Sequence, residues 1–375
     1  MPSGKLARIK PRARGDSLDI MRGFSMFWLI GGAAIVGELA LHSSIGGLDG
    51  LATQMKHASW VGLRFFDLIF PFFIFASGAT IPYSILRMKQ KGVSNFKIAF
   101  KALRRALVLL FIGVMYNEWT SHNFANPRLC SVLAQIGVSY FICVIIYLVS
   151  PRSNRLLASA IGIMLLIAGL QILMPGSSLS EEIYPGNNIN SLIDSALVPG
   201  RLLNGTFDPE GPLNWISAST LCLFGAWTSN QLAPIQERNL RFRRKVILPF
   251  VTGVMLILVG LIADSHYSII KALWTSSFCA VSGGISILFY SALYGIADVK
   301  NIKKPFYLFK VIGSNSLLAY LATRLFGYAQ FTNALGSYAS RSFSIETNLF
   351  AMILTALTTF SLLYFLYRKK IFIKV

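Results

Sequence analysis

Apolar residues in this chain come in long blocks separated by short polar stretches. About ten blocks, near 22–41, 63–86, 102–118, 129–149, 156–174, 214–232, 246–264, 272–297, 308–330 and 346–367, come close to the roughly 20 residues a helix needs to cross the hydrocarbon core. The pattern predicts an all-α polytopic membrane protein with about ten transmembrane helices. No internal repeat stands out, and the longest connection, about 175–213, is rich in Gly, Pro, Asn and Ser. The expected organisation is a basic segment over 1–21, one transmembrane domain over 22–367 and a basic tail over 368–375.

Composition agrees: the chain is 54% hydrophobic and 13% charged, which excludes an ordinary soluble domain. A formal charge of +20 would suggest nucleic acid as partner of a soluble protein. Here the placement of charge carries the information. With the N-terminus cytoplasmic and each block crossing once, most of the 35 Lys and Arg residues fall on the cytoplasmic side, as the positive-inside rule requires. They lie in the N-terminal arm, 87–105, 152–155, 238–245, 300–310 and the tail. Both termini are then cytoplasmic, lipid is the partner, and no nucleic acid is expected. The N-terminus has no short apolar core of a cleavable leader, so the first helix is expected to be retained. Cys130, Cys143, Cys222 and Cys279 sit in or beside apolar blocks without metal-type spacing. They read as small core residues, and no metal is expected.

The same topology puts His42, His57, His122 and His266, with most acidic residues, at the outer face. Within or beside the helices stand Asp19, Arg22, Glu38, Asp67 and Arg324. Such groups face the bundle interior, pair, or line a wet cavity. Asp19 with Arg22, and Arg64 with Asp67, are spaced i, i+3 and can pair locally. The second pairing would leave His57 as the free titratable group of its stretch.

Several motifs share one resemblance. "KHASW" (Lys56–Trp60), followed by "GL", "DLIFPFFIF" and "SG", resembles the signature of the heparan-α-glucosaminide N-acetyltransferase catalytic family. "SLDIMRGFSMFWLIGG" (Ser17–Gly32), "FDPEG" (Phe207–Gly211), "KALWTSSF" (Lys271–Phe278) and "IGSNSLLAY" (Ile312–Tyr320) resemble further family segments in the same order. Leu-Asp-x-x-Arg-Gly is shared with other membrane acyltransferase families, whereas the His-Ala-Ser-Trp and Trp-Thr-Ser-Ser-Phe segments together are specific. The resemblance implies a multi-helix protein of the bacterial inner membrane. It also implies transfer of acetyl from cytoplasmic acetyl-CoA to the amine of a terminal glucosamine across the membrane. It puts the active histidine at His57 and makes Asp67 part of its support. Two positions depart from the pattern: Ala33 lies where many relatives carry Asn or Asp, and Gln135 where many carry Arg.

The residues suit that chemistry. Amide formation needs a neutral amine, and histidine is the side chain that takes a proton near neutral pH. The same imidazole can instead carry the acetyl group covalently; the one-step route is preferred, because an acetyl-imidazole facing water would hydrolyse. Asn315 joins His57 and Asp67 as a catalytic candidate. Trp274, Thr275, Ser276 and Asn315 are candidate donors to the oxyanion, against a plain N-cap for the Thr-Ser-Ser run and a helix–helix hydrogen bond for Asn315. Arg104, Arg105, Arg243, Arg244 and Lys245 are candidates for the coenzyme A phosphates, against anchoring to anionic lipid. Asp208 and Glu210 can grip a cationic amino sugar or simply form a turn. Trp60 and Trp215 can stack on a sugar or anchor at the interface. The competing functions are a permease for N-acetylglucosamine or a related sugar and an O-acyltransferase of cell-envelope sugars. A homodimer is the candidate assembly.

Overall fold

The computed structural model describes residues 15–41, 46–121, 123–173, 185–232, 241–325 and 347–373. Among the described residues the regular structure is helical, with one isolated β-bridge between Arg128 and Gly200. In chain order the helices are α1 (Asp16–Leu41), α2 (Leu48–Gln54), α3 (Phe65–Gln90), α4 (Asn95–Ser121), α5 (Val132–Val149) and α6 (Ser153–Leu173). Then follow α7 (Ile189–Leu197), α8 (Pro212–Leu232), α9 (Arg241–Ala263), α10 (Ser276–Val299), α11 (Tyr307–Ser314), α12 (Ser316–Leu325) and α13 (Thr347–Arg368). Seven of these, α1, α3, α5, α6, α9, α10 and α13, are long and apolar enough to cross a membrane.

The other three apolar blocks differ for physical reasons. Block 102–118 lies within α4, whose first half carries Lys97, Lys101, Arg104 and Arg105. Block 214–232 is α8, the most enclosed helix, packed against α3, α5, α6 and α10. A helix that touches protein on all sides needs little lipid-facing apolar surface. Its hydroxyls turn back on their own helix, as Ser219 on the Ile216 carbonyl (2.6 Å) and Thr228 on Phe224 (2.7 Å), or cross to α3, as Ser229 on Ala79 (2.8 Å). Block 308–330, expected as one helix, is broken at Asn315 (φ −129°, ψ 42°) into α11 and α12.

Helix α1 begins at Asp16, earlier than the apolar block beginning at 22, and buries Leu18, Ile20 and Met21. Its first turn is capped from the far end of the chain. The Asp298 carboxylate accepts the Asp16 N–H (2.8 Å) and the Ser17 hydroxyl (2.5 Å). Lys303 and Lys310 both pair with Asp16 at 2.9 Å. At the α3–α8 crossing the backbones nearly touch. A Cβ on Gly78 would lie 2.0 Å from the Cys222 carbonyl oxygen, and one on Gly225 2.2 Å from that of Phe75. Only glycine fits there, as at other close helix crossings in membranes. The four cysteines are buried and free.

Candidate active site

Helix α3 opens with a 3₁₀ turn, Phe65–Leu68, and Asp67 serves that turn first. One carboxylate oxygen accepts the Arg64 N–H (3.0 Å) and the Ala58 N–H (3.2 Å), closing the helix start as a capping acid does. The other oxygen lies 2.7 Å from Nδ1 of His57. A carboxylate only accepts, so this contact puts a proton on Nδ1 and leaves the lone pair on Nε2. Asp67 is 1% exposed and His57 53%, so the imidazole is held from below and open above. The expected Arg64–Asp67 side-chain pair does not form: the Arg64 guanidinium donates to the His57 carbonyl (2.9 Å).

The structure adds Lys271, which sequence reasoning did not single out. Its Nζ stands 2.8 Å from Nδ1 and 3.3 Å from Nε2 of His57, and 3.4 Å from the Asp67 carboxylate. Its side chain is only 22% exposed. Burial pushes its ammonium below the ordinary lysine range, against the pull of Asp67 and Glu210. The one signal in the sequence was its place at the head of "KALWTSSF", 214 residues from His57.

Lys271 rides on a tightly held turn. Lys271–Leu273 form a 3₁₀ turn that ends at Trp274 in the left-handed region (φ 47°, ψ 47°), a conformation uncommon for a bulky residue. Three side chains from two helices hold the carbonyls of that turn. Asn214 of α8 donates to Ala272 (3.0 Å), Gln171 of α6 to Leu273 (2.9 Å), and Ser217 of α8 to Trp274 (2.5 Å). The amides are chained together: Gln171 to Asn190 of α7 (2.9 Å), Asn190 to Asn214 (2.8 Å), and Gln135 of α5 to the Asn214 carbonyl (3.2 Å). Tyr267 donates to Gln171 and accepts the Ser276 N–H (3.0 Å). Gln135, one of the two positions expected to depart from the resemblance, is thus part of this support, with its Oε1 buried and without a hydrogen bond among the described residues.

Other candidates fall in different places. Thr275 caps α10 through the Phe278 N–H (3.3 Å), and Ser276 donates to the Met164 carbonyl (2.6 Å). The hydroxyl of Ser276 is therefore spent on structure rather than open to an oxyanion. Asp208 corrects a second expectation. Each of its oxygens accepts twice, from Arg128 Nη2 (2.7 Å) and the Glu210 N–H (3.0 Å), and from Arg128 Nε (2.7 Å) and the Leu203 N–H (3.1 Å). No lone pair remains for an ammonium sugar. Arg128 also pairs with Glu210, and the Gly211 N–H to Asp208 carbonyl bond (2.9 Å) closes the expected turn. Burial raises the Glu210 carboxyl to about 7, against the pull of Arg128 and aided by repulsion from Asp208. Glu210 is close enough to Lys271 to favour its charge. Trp60 packs edge-on to Phe207 (5.7 Å) at the rim. Asn315 commits both amide atoms to the C-terminal segment, at Ile371 (2.9 Å) and Ile373 (2.9 Å), away from the His57 contacts. His42, His122 and the side chains of Arg243, Arg244, Lys245 and Arg324 lie outside the described residues.

A cavity of about 540 Å³ runs beside α3. Phe70, Phe73, Ser77, Thr80, Ser84 and Arg87 line it along one helical face, a stretch of about 25 Å at 1.5 Å per residue. Its inner end at Phe70 is one turn beyond Asp67, and Phe70 packs edge-on to Trp274 (5.5 Å), three residues beyond Lys271. Its other end carries Arg87, Arg105 and Arg22. Arg105 lies over the Tyr140 ring at 4.4 Å, and its buried Nε makes no hydrogen bond among the described residues. Arg104, one residue earlier, is exposed and does not line the cavity.

A family model described as "Domain of unknown function (DUF5009)" matches residues 14–189. The human protein named heparan-alpha-glucosaminide N-acetyltransferase is 25% identical over 438 aligned positions, covering 99% of this chain and 61% of the human protein. The mouse protein of that name is 24% identical over 436, covering 98% of this chain and 62% of the relative. This chain therefore spans about three-fifths of the length of the curated relatives it matches. The resemblance carried by short motifs at Lys56–Trp60 and Lys271–Phe278 runs the length of the chain, which is similar throughout to the proteins named heparan-alpha-glucosaminide N-acetyltransferase.

Proposed function

We propose that this protein transfers acetyl from acetyl-CoA to the amine of glucosamine or a related amino sugar, with His57 as general base. One observation carries the reading: the His57–Asp67 couple and the arginine-ended cavity occupy opposite ends of one helix, α3. Asp67 fixes Nδ1–H, so Nε2 takes the proton as the sugar amine attacks the thioester carbonyl. The acyl donor would lie in the cavity with its phosphates at Arg87 and Arg105 and its thioester at the Phe70–Trp274 end. A guanidinium nitrogen without a partner suits an anionic head group. On this reading the arginine end faces the cytoplasm, His57 faces the far side, and both termini are cytoplasmic. The charge distribution along the sequence supports that orientation in a bacterial inner membrane. The role proposed here for Trp274 is to form the wall between donor and acceptor.

The test is purified protein in lipid vesicles with acetyl-CoA and glucosamine, read as release of CoA thiol. Thiol should appear, and His57→Ala should lower its rate by about 10²–10⁴-fold while leaving acetyl-CoA affinity unchanged. Uptake of labelled N-acetylglucosamine without any thiol release would replace the enzyme by a carrier.

A further inference from the structure

We infer that Lys271 is the acid of the reaction, giving a proton to the leaving CoA thiolate and recovering it from His57. The inference rests on the acetyl-transfer reading above. Its physical basis is that Lys271 makes more contacts than an Asp67 counter-ion needs. Asp67 already holds two backbone N–H groups and His57, and its distance to Lys271, 3.4 Å, is the longest of these. Lys271 also lies against the imidazole: with the Nδ1 proton given to Asp67, the Nε2 lone pair, 3.3 Å from Nζ, is the one that can share a proton with the ammonium. A surface lysine would hold its proton firmly; this one is largely buried, and burial loosens it.

Position supports the same role. Lys271 is three residues from Trp274, whose ring meets Phe70 at the inner end of the cavity. A thioester arriving there would have the imidazole and the ammonium on the same side of its carbonyl. The carbonyl turn held by Asn214, Gln171 and Ser217 fixes Lys271 in that place.

The atoms balance. The amine nitrogen bonds to the acetyl carbon and loses a proton to His57 Nε2. The carbon–sulfur bond breaks, its electron pair leaves with sulfur, and Lys271 protonates that sulfur. The imidazolium then returns its proton to the neutral Lys271 amine, 3.3 Å away in the resting structure. The net change is an acetamide and a free thiol, with no other reactant.

The test compares Lys271→Gln and Lys271→Arg with the parent on two donors, acetyl-CoA and 4-nitrophenyl thioacetate, whose thiol is far more acidic and leaves without protonation. With acetyl-CoA both variants should lose about 10²-fold in kcat, the low end for general acids because a thiolate is a fair leaving group. With the aryl thioester both should run within a few-fold of the parent. That recovery also shows that the variants are folded. A parental rate for Lys271→Arg on acetyl-CoA would show that a fixed cation suffices and overturn proton donation. Equal losses on both donors would reduce Lys271 to a structural part. A parent that releases no thiol from acetyl-CoA with glucosamine would instead sink the acetyl-transfer reading itself.

Discussion

Replacing Asp67 with Asn tests how much of the site depends on one negative charge. The amide is nearly isosteric, and its oxygen can still accept the Arg64 and Ala58 N–H groups that start α3. Its NH₂ then faces His57 Nδ1 across the present 2.7 Å contact. Two donors cannot share that contact, so the imidazole must move its proton to Nε2 and lose the lone pair that acts as base. The loss should approach the whole general-base contribution, about 10²–10⁴ in kcat, or roughly 3–5 kcal/mol at 1.36 kcal/mol per decade. Stability changes separately. Lys271 loses its partner at 3.4 Å, and stranding a buried cation costs up to about 3–5 kcal/mol. The real cost should be smaller, because burial already favours the neutral amine and Lys271 can shed its proton. The KM for acetyl-CoA should not change, since Arg87 is about 30 Å along the helix from Asp67. Thiol release should be followed with glucosamine and with a hydrazine acceptor that is unprotonated at neutral pH, alongside a melting curve. A folded Asp67→Asn protein within about threefold of the parental kcat on both acceptors would refute the assignment of Asp67 as the group that sets the tautomer.

The remaining predictions concern the cavity, helix α7 and the helix crossing. Arg105→Ala should weaken acetyl-CoA binding several-fold, with the loss shrinking in high salt, while Arg104→Ala should not; calorimetry that finds the two alike would return both to membrane anchoring. Burial raises the Asp194 carboxyl to about 6, so it favours the fold when protonated, and that advantage fades as pH rises from about 4 through 6. Asp194→Asn should therefore melt higher relative to the parent at pH 8 than at pH 4; a constant difference across that range would show that Asp194 does not titrate as described. Gly78→Ala should destabilise by about 1–3 kcal/mol or more, because its methyl meets the Cys222 backbone, and an unchanged melting temperature would deny the close α3–α8 contact.

How far the site could be read from sequence depended on distance along the chain. His57 and Asp67 lie ten residues apart around one helix start, so a short motif holds both. Lys271 comes from another helix entry, and no local pattern ties it to His57. Arg104 and Arg105 are adjacent, yet a step of one residue turns a helix by about 100°, and only the packing of α4 decides which guanidinium enters the cavity. The break at Asn315 was invisible for another reason: one asparagine hardly alters the mean hydropathy of block 308–330. At the break the Asn315 side chain makes a pair of hydrogen bonds to residues 371 and 373, far along the chain. The amides behind Lys271 are scattered over α5, α6, α7 and α8, each looking like an isolated polar defect in an apolar run.

Those amides have a consequence for any pH titration of the protein. The carbonyls of Ala272, Leu273 and Trp274 are bound by carboxamides and a hydroxyl, none of which gains or loses a proton in the working range. The phenol of Tyr267, which completes the chain, is pushed by burial still further from neutrality. The three carbonyls beneath Lys271 are thus held by groups that carry no charge. Acid or alkali can change the charge of the ammonium or of Glu210, but it does not titrate the groups that bind these three carbonyls. A pH profile of turnover should therefore report the proton inventory of the reacting groups, free of the conformational contribution that an ionic scaffold would add.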